Sequence, residues 1–231
     1  MREVLGRQMY TTLEEVVDPA HTALIIVDMQ NDLVSLDRPW ARPGSPPPSA
    51  RRIIPSLQTL IAAGREAGVR IVYIMYANDP NRASASPAWI YYSQRESPTH
   101  GTFTINLEAC VDGTWGQQII PELEPQPGDF IVKKRRLGGF WKTELDMVLR
   151  SNGIESVVVT GTATAGCVYD TAMGAFAHDY YTVVAPDCIS GGDGFLHELG
   201  MALMLDRFDG PSSEEVITAW AAARASAAAA G

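Results

Sequence analysis

The chain has 231 residues, of which 46% are hydrophobic and 19% charged, and this composition suits one globular domain with a large buried core. Its formal net charge of −9 excludes the basic surface that non-specific nucleic-acid binding requires. The widely spaced Cys110, Cys167 and Cys188 fit no disulfide framework, and no segment has the apolar length of a signal core or membrane span, so we expect a soluble cytoplasmic protein.

The first apolar run predicts a buried strand that ends in polar residues. Residues 1–20 read as a polar leader with a short helical turn at 12–17. The segment "TALIIVDMQND" (22–32) begins as a continuous apolar run, as expected of a strand buried on both faces of a parallel sheet. Asp28 stands at the end of this run and Gln30 shortly after it.

A second strand is predicted over 69–79, after a helix over 50–69, and Asn78 stands at its end. The stretch 80–120 is rich in Trp, Tyr, Pro, Ser and Gly, and a connection of this length in a compact domain is usually functional. Its aromatic residues, among them Trp89 and Tyr92, suit a pocket wall or lid and a subunit contact equally well.

Strands and helices continue to alternate to the end of the chain. The predicted strands cover 129–136, 155–162 and 181–188, and the predicted helices cover 141–154, 167–180 and 194–210, followed by a last helix that frays in the alanine tail at 222–231. This alternation predicts a single domain, 1–231, with a three-layer α/β/α sandwich around a mostly parallel sheet.

Three kinds of reactive side chain fall at predicted strand ends, where open α/β sheets bind their ligands. These are the carboxylate of Asp28, the amine of Lys133 or Lys134, and the thiol of Cys167. The positive end of a helix and a lysine cation are expected to favour the thiolate, and an aspartate can accept the thiol proton. Each residue alone is as compatible with packing or capping as with catalysis, and it is their combination that favours a nucleophilic site.

The small residues of "GTATAGC" (161–167) predict a turn that a substrate can approach closely. Backbone N–H groups in such a turn can hold the oxyanion of a tetrahedral intermediate.

The segments "ALIIVDMQND", "IVKKRRLGGFWKTELD" and "VVVTGTATAGCVYDTA" resemble the motifs of the isochorismatase-like cysteine hydrolases. That superfamily includes nicotinamidases, N-carbamoylsarcosine amidases, ureidoacrylate hydrolases and biuret hydrolases. The resemblance extends over about residues 10–220 and is closest to the ureidoacrylate-hydrolase branch. It implies a Rossmann-type fold, cleavage of a small linear amide or ureido compound through a thioester, no cofactor, and a homo-oligomer, either a dimer or a tetramer.

The resemblance also implies a role for individual residues. Asp28 matches the general base and later acid, and Cys167 matches the nucleophile. Counting back from Phe140 places the family lysine at Lys134, with Lys133 on the opposite face of the strand. A cis peptide is implied between Thr162 and Ala163, where it would aim the N–H groups of Ala163 and Cys167 at the oxyanion.

Five side chains are candidates for substrate binding: Gln30, Asn78, Trp89, Tyr92 and Phe140. The amides of Gln30 and Asn78 can hydrogen-bond a ureido or amide group, although Asn78 could instead cap a turn. Leu137–Gly138 stand where the family usually has an aromatic–serine pair, and Ala165–Gly166 stand where it often has Asn–Val. Because both departures shrink side chains near the nucleophile, we expect a roomier acyl pocket.

No metal site is predicted. Metal-binding nicotinamidases of the superfamily use an Asp-x-His pair after the first strand, and this segment of the chain has no histidine. His21, His100, His178 and His197 are scattered and read as surface or capping residues. A vinyl-ether hydrolase, a non-catalytic binding protein on the same scaffold and a redox-sensing thiol remain alternatives to an amidohydrolase.

Overall fold

The computed structural model of the protein describes residues 1–38, 48–97, 101–102, 106–191 and 194–230. Its strands are β1 (Arg2–Val4), β2 (Arg7–Met9), β3 (Thr22–Val27), β4 (Arg70–Tyr76), β5 (Glu96–Ser97), β6 (Gly101–Thr102), β7 (Phe130–Lys134), β8 (Ser156–Gly161) and β9 (Tyr181–Ile189). Its α-helices are α1 (Leu13–Val16), α2 (Asn31–Val34), α3 (Ile54–Ala67), α4 (Pro87–Gln94), α5 (Leu145–Ser151), α6 (Tyr169–Ala177), α7 (Phe195–Leu205) and α8 (Ser213–Ala230). Among the described residues, no helix is both long and apolar enough to cross a bilayer.

The central sheet has the strand order β7-β4-β3-β8-β9, and each pair of neighbours is parallel. Every residue of β3, the middle strand, is buried. Parallel strands are joined by crossover helices that cover both faces of the sheet, which is why the sequence of β3 is a continuous apolar run. The predicted three-layer α/β fold is confirmed.

Alternate side chains of the central strands point into two separate cores. Leu24 and Ile26 face the layer that contains α3 and α8, whereas Ile25 and Val27 face the layer that contains α5, α6 and α7. Trp220 of α8 is fully buried in the first core and donates an indole hydrogen bond to the carbonyl of Val17 at 2.9 Å. Burial on both faces fixes the register of the sheet and therefore the positions of its strand ends.

Both termini contain regular structure. The polar leader contains the predicted short helical turn as α1 and, before it, an antiparallel hairpin, β1–β2, whose connecting Leu5 and Gly6 both have positive φ, as tight hairpin turns require. Helix α8 continues through the alanine tail to Ala230, in accord with the high helix propensity of alanine, and Gly231 lies outside the described residues. Helix α5 begins at Leu145, four residues later than predicted.

The long stretch 80–120 has secondary structure of its own. Helix α4 begins after Ser86, whose hydroxyl accepts a hydrogen bond from the Trp89 N–H. Farther along, Val111 and Ile119 form isolated β-bridges with Asn78 and Gln30. The second half of the stretch therefore packs directly against the ends of β3 and β4. Residues 98–100 and 103–105 lie outside the described ranges.

Candidate active site

One lysine joins the reactive groups at the carboxyl end of the sheet. Lys134 is the last residue of β7, Asp28 follows β3, and Cys167 lies in the π-helical turn Thr164–Val168 between β8 and α6. The Lys134 Nζ donates to Asp28 Oδ2 at 2.8 Å, to Cys167 Sγ at 3.2 Å and to the Arg136 carbonyl at 3.2 Å. An ammonium has three N–H donors, so all of them are used. The sequence-predicted carboxylate, amine and thiol are thus in contact.

The Asp28–Lys134 ion pair is fully buried. A buried charge is tolerated only when it is paired and hydrogen-bonded, and these two side chains satisfy each other. The Tyr76 ring lies under the ammonium, 5.0 Å from Nζ to the ring centroid, and adds a cation–π contact. These contacts hold the Lys134 side chain in one conformation. An exposed lysine, with its four flexible methylene groups, would populate several.

The backbone around Asp28 is shaped for the site. Asp28 has φ of +52°, a left-handed conformation that aspartate tolerates better than most residues. From this position its second carboxylate oxygen accepts the Tyr76 N–H at 2.9 Å. Gly161, at the end of the adjacent strand, has φ of +103°, and a Cβ there would lie 2.2 Å from the Val27 carbonyl. Only glycine allows β8 to approach β3 this closely.

The thiol of Cys167 is held in its protonated form. Burial, and after it the negative charge and hydrogen bond of the Asp28 carboxylate, raise its pKa to about 12 against the opposing effect of the Lys134 cation. Lys134 therefore favours the thiolate, as expected, but burial and the Asp28 carboxylate outweigh it. Burial would lower the pKa of Lys134, but Asp28 and Cys167 raise it above its ordinary value, so the amine stays charged.

The turn before Cys167 contains the cis peptide predicted between Thr162 and Ala163. Helix α7 and the segment before it hold this turn in place. The Thr164 hydroxyl lies 2.7 Å from His197 Nδ1, and a Cβ on Gly191 would lie 2.3 Å from the Thr164 nitrogen. His197, predicted to be a surface or capping residue, therefore contacts the turn that carries Cys167, and nothing in its sequence spacing indicates this contact.

The predicted substrate contacts of Gln30 and Asn78 need correction. The Gln30 amide is fully buried, donates to the carbonyls of Tyr76 and Gln117, and accepts the Tyr76 N–H. The Asn78 amide donates to the carbonyls of Asn106 and Ala109 and accepts the Tyr76 hydroxyl. Neither amide has an N–H left for a substrate. Both instead fix Tyr76 and the loop at 106–117 against the strand ends.

The three aromatic candidates lie in different environments. Phe140 is mostly buried, with its ring stacked on His178 and tilted against Tyr180, and it also lines a cavity beside α6, so its role in substrate binding stays a prediction. Tyr92 is 48% exposed and packs edge-on against Tyr91; its role in substrate binding stays a prediction. Trp89 is close to the site, because its indole is a hydrogen-bond partner of the Tyr76 phenol.

The remaining histidines do not form a cluster. Within the residues that the structure describes, no three His, Cys, Asp or Glu side chains are placed to hold a metal ion. His21 stacks on Tyr10, and His178 Nδ1 bonds the Gly174 carbonyl at 2.8 Å. His100 lies outside the described residues, and the expectation of a metal-free site stays a prediction.

Comparisons with known proteins match nearly the whole chain. Residues 22–216 fit the family model described as the Isochorismatase domain. The ureidoacrylate amidohydrolase RutB of Pseudomonas savastanoi pv. phaseolicola is 35% identical over 173 residues, which cover 73% of this chain and 70% of that protein. RutB of Pseudomonas syringae pv. syringae is 35% identical over the same share of both chains.

Solved structures agree with this match. An isochorismatase-like hydrolase from Alkaliphilus metalliredigens is 31% identical, with a TM-score of 0.67 over 87% of this chain and 99% of its own. The N-carbamoylsarcosine amidase from Thermoplasma acidophilum is 24% identical, with a TM-score of 0.66 over 84% of this chain and 96% of its own, and supports the fold alone.

Proposed function

The chain belongs to the isochorismatase family of hydrolases, and we propose that it is a cysteine-dependent amidohydrolase that cleaves a linear amide or ureido C–N bond of a small molecule. The observation that carries the proposal is the single buried ammonium of Lys134, which contacts both the Asp28 carboxylate and the Cys167 sulfur. The named activity of the 35%-identical relatives, ureidoacrylate amidohydrolysis, supports the same bond type.

In the first step, Asp28 acts as the general base. The Cys167 thiol transfers its proton to the carboxylate as the sulfur attacks the substrate carbonyl, because its pKa is too high for a free thiolate to accumulate. The S–C bond forms and the carbonyl electron pair moves to the oxygen. The backbone N–H groups of Ala163 and Cys167 stabilise that oxyanion.

In the second step, the tetrahedral intermediate collapses. Asp28 returns the proton to the leaving nitrogen, the C–N bond breaks, and a thioester remains on Cys167. Water then gives a proton to Asp28 as it attacks the thioester, and the thiol leaves with that proton. If the substrate is a ureido compound, the released carbamate decomposes to CO2 and a second amine.

Lys134 makes this proton transfer favourable. Before the attack its charge is balanced by Asp28. Once Asp28 is protonated, the ammonium is left unbalanced in a buried site, where charge interactions are strong. It then stabilises the negative charge that develops on the sulfur and the substrate oxygen. The same contacts that hold the resting site together therefore favour the transition state.

The alternatives fit the site less well. A redox-sensing cysteine has a low pKa, whereas that of Cys167 is raised. Hydrolysis of a vinyl ether requires a proton donor and water but no thiol nucleophile. A binding protein without turnover has no use for a buried ion pair in contact with a thiol, since such pairs are costly to bury.

The test is ammonia release from ureido acids, N-carbamoyl amino acids, primary amides and nicotinamide, with wild type beside Cys167→Ala. We expect release from at least one ureido or amide compound by the wild type and none by the variant. Equal release by both proteins would exclude the thiol mechanism. Vinyl-ether cleavage without any amide turnover would favour the isochorismatase-type reaction instead.

We also propose that the protein is a cytoplasmic homo-oligomer, a dimer or tetramer. The three cysteines are free, as a reducing compartment favours. Phe195, Leu199 and Leu203 form an apolar stripe on α7 and are 65%, 41% and 41% exposed, which suits a subunit contact. Light scattering on the purified chain tests this, and a monomeric mass would contradict it.

A further inference from the structure

A cavity of about 610 Å³ lies between the loop at 136–142, which follows Lys134 in the chain, helix α6, which follows Cys167, and Trp89 of α4. This volume is within the range of sites that hold small organic ligands. Its walls are mostly apolar, and Trp89, Leu137, Trp141 and Met173 line it. No step of the hydrolysis described above uses this space.

Two residues that line the cavity are close to the reacting groups. One is Arg136, whose backbone carbonyl accepts a hydrogen bond from Lys134. Asp170, which also lines it, stands one helical turn after Cys167. A Cβ on Gly138 would lie 3.3 Å from the Asp170 carbonyl, so the loop lies directly on the first turn of α6.

The guanidinium of Arg136 is fixed in the cavity wall. It lies 4.5 Å from the ring centroid of Trp89 and 5.8 Å from that of Trp141, between the two indoles. It donates to the carbonyls of Arg135 and Ser84 at 2.7 and 2.9 Å. A guanidinium has five N–H donors, so this side chain is held rigidly and still has donors to offer.

Arg136 differs from its neighbour in having no acidic partner among the described residues. Arg135 pairs with Asp79 at 2.9 Å and with Asp112 at 3.6 Å. No carboxylate of the described ranges lies within ion-pair distance of Arg136. A half-buried cation without a counter-ion is a recognition element for an anion that arrives from solution.

The other charged groups that line the cavity do not cancel the positive charge of Arg136. Lys142 lies over Trp141 at 4.8 Å and adds a second positive charge. Asp170 is the one carboxylate that lines the cavity, and no ion pair joins it to Arg136. Arg136 therefore defines a positive end in a largely apolar space.

We propose that Arg136 is a specificity-determining residue that binds the carboxylate of an acidic substrate whose scissile carbonyl lies at Cys167. The substrate class is then an amide or ureido acid with an apolar segment between the two groups, which packs against Trp89, Leu137 and Trp141. This inference rests on the proposed function and extends it from a bond type to a substrate class.

The test compares ω-ureido acids of increasing chain length with their methyl esters. Each pair shares the scissile bond and differs only in the negative charge. Turnover of both is measured for the wild type, Arg136→Gln and Arg136→Lys. Arg224→Gln, which removes the same charge from an exposed pair with Glu66 on α3, is the matched control.

We expect the wild type to prefer one acid over its ester. Arg136→Gln should raise the KM for that acid about 10- to 100-fold, the range for a lost charged hydrogen bond, and should affect the ester much less than the acid. Arg136→Lys should recover part of the preference, and Arg224→Gln should match the wild type. Equal losses on acid and ester in Arg136→Gln, or no preference in the wild type, would overturn the assignment.

A binding measurement separates this inference from the proposed function. Calorimetry on Cys167→Ala follows binding of the same acid with and without the additional Arg136→Gln change. If no ureido compound is hydrolysed but the acid binds only when Arg136 is present, the hydrolase proposal fails and the carboxylate site stands. If the acid is hydrolysed but its affinity does not depend on Arg136, the carboxylate site fails and the hydrolase proposal stands.

Discussion

Lys133 and Lys134 are adjacent on β7 but lie in opposite environments. The side chain of Lys133 is 49% exposed and pairs with Asp112 at 2.7 Å, whereas that of Lys134 is 0% exposed and pairs with Asp28 at 2.8 Å. Both are Lys–Asp pairs of nearly equal length. An exposed pair contributes little to stability, but loss of one partner from a buried pair leaves an uncompensated charge. Burial, and not the contact itself, therefore distinguishes Lys134, the proposed catalytic lysine, from Lys133.

The alternation of the strand produces this difference. Lys134 pairs in register with Tyr76 on β4, and this position places its side chain against the Tyr76 ring and beside Asp28. Lys133 is one residue earlier, so its side chain leaves the opposite face of the sheet. A shift of the register by one residue would exchange the two lysines.

The largest loss of activity is expected when Cys167 or Asp28, the proposed reacting groups around the buried lysine, is removed. Cys167→Ala removes the nucleophile and Asp28→Asn the base, and each should lower kcat/KM by about 10³-fold or more. Steady-state kinetics on the best substrate of the panel measures this. Cys188→Ala, a change at a buried thiol outside the triad, is the control and should retain near-wild-type activity.

The two lysines themselves provide the next test. Lys134→Met should lower kcat/KM by about 10²-fold or more and, because it leaves Asp28 buried without a partner, destabilise the fold by about 3–5 kcal/mol. Lys133→Met should change the free energy of unfolding by about 0.5 kcal/mol or less and leave activity within about twofold of wild type. Kinetics and urea unfolding measure both.

A double variant separates stability from catalysis. Asp28→Asn combined with Lys134→Met removes both buried charges, so it should regain part of the stability that Lys134→Met loses but none of the activity. Comparable effects of Lys133→Met and Lys134→Met on activity would contradict the assignment of the catalytic lysine.

A third effect concerns the rate at which the Cys167 thiol reacts with an alkylating agent. In Asp28→Asn this rate should rise, although the rate of hydrolysis falls. Asp28 raises the pKa of Cys167 and Lys134 lowers it. Asp28→Asn should therefore lower this pKa and accelerate alkylation by a small haloacetamide at neutral pH, even though hydrolysis is lost. Lys134→Met should slow alkylation. Rates followed across a pH series test both signs, and slower alkylation of Asp28→Asn would show that the charges do not act as described.

A smaller loss of activity is expected when His197, which contacts the turn that carries Cys167, is changed. His197→Ala removes the partner of the Thr164 hydroxyl and should lower kcat about tenfold with little change in KM, because the turn is less well positioned. His197→Asn, which keeps a hydrogen-bonding group there, should recover part of the loss. A matching change in KM, or no recovery by asparagine, would assign His197 to general stability only.

The smallest effect concerns a buried thiol that is not part of the triad. Burial, with a contribution from Asp187, raises the pKa of Cys188 to about 12. The folded state then keeps a proton that the unfolded chain loses as the pH rises above its ordinary value of about 8.5. Stability should therefore fall between about pH 9 and 12, and Cys188→Ala should reduce the fall by about 2 kcal/mol at pH 10. Urea unfolding at several pH values measures this, and an unchanged slope would contradict it.

Much of the fold could be predicted, because buried parallel strands are continuous apolar runs and amphipathic helices have a distinct period. The same rule placed Asp28, the pair Lys133 and Lys134, and Cys167 at strand ends, and the choice of Lys134 came from the family resemblance. The predicted substrate contacts were wrong where a side chain's hydrogen bonds are already made within the protein. Gln30 and Asn78 have the right chemistry for a ureido group, yet backbone carbonyls take their donors.

Two further properties of the site depend on the folded environment. The pKa of Cys167 depends on burial and on the Asp28 carboxylate, which together outweigh the Lys134 cation. The contact of His197 with Thr164 joins residues 33 positions apart and follows only from the packing of α7 on the turn. Neither has a local sequence signal.

The most direct test is intact-mass analysis of the protein quenched with acid during turnover of the best substrate, followed by peptide mapping. If Asp28, Lys134 and Cys167 act as one unit, the wild type carries an acyl group on Cys167, and Lys133→Met carries it too. The adduct is absent from Asp28→Asn and Cys167→Ala and much reduced in Lys134→Met. Hydrolysis that continues in Cys167→Ala, or an acyl group on another residue, would contradict the thioester mechanism.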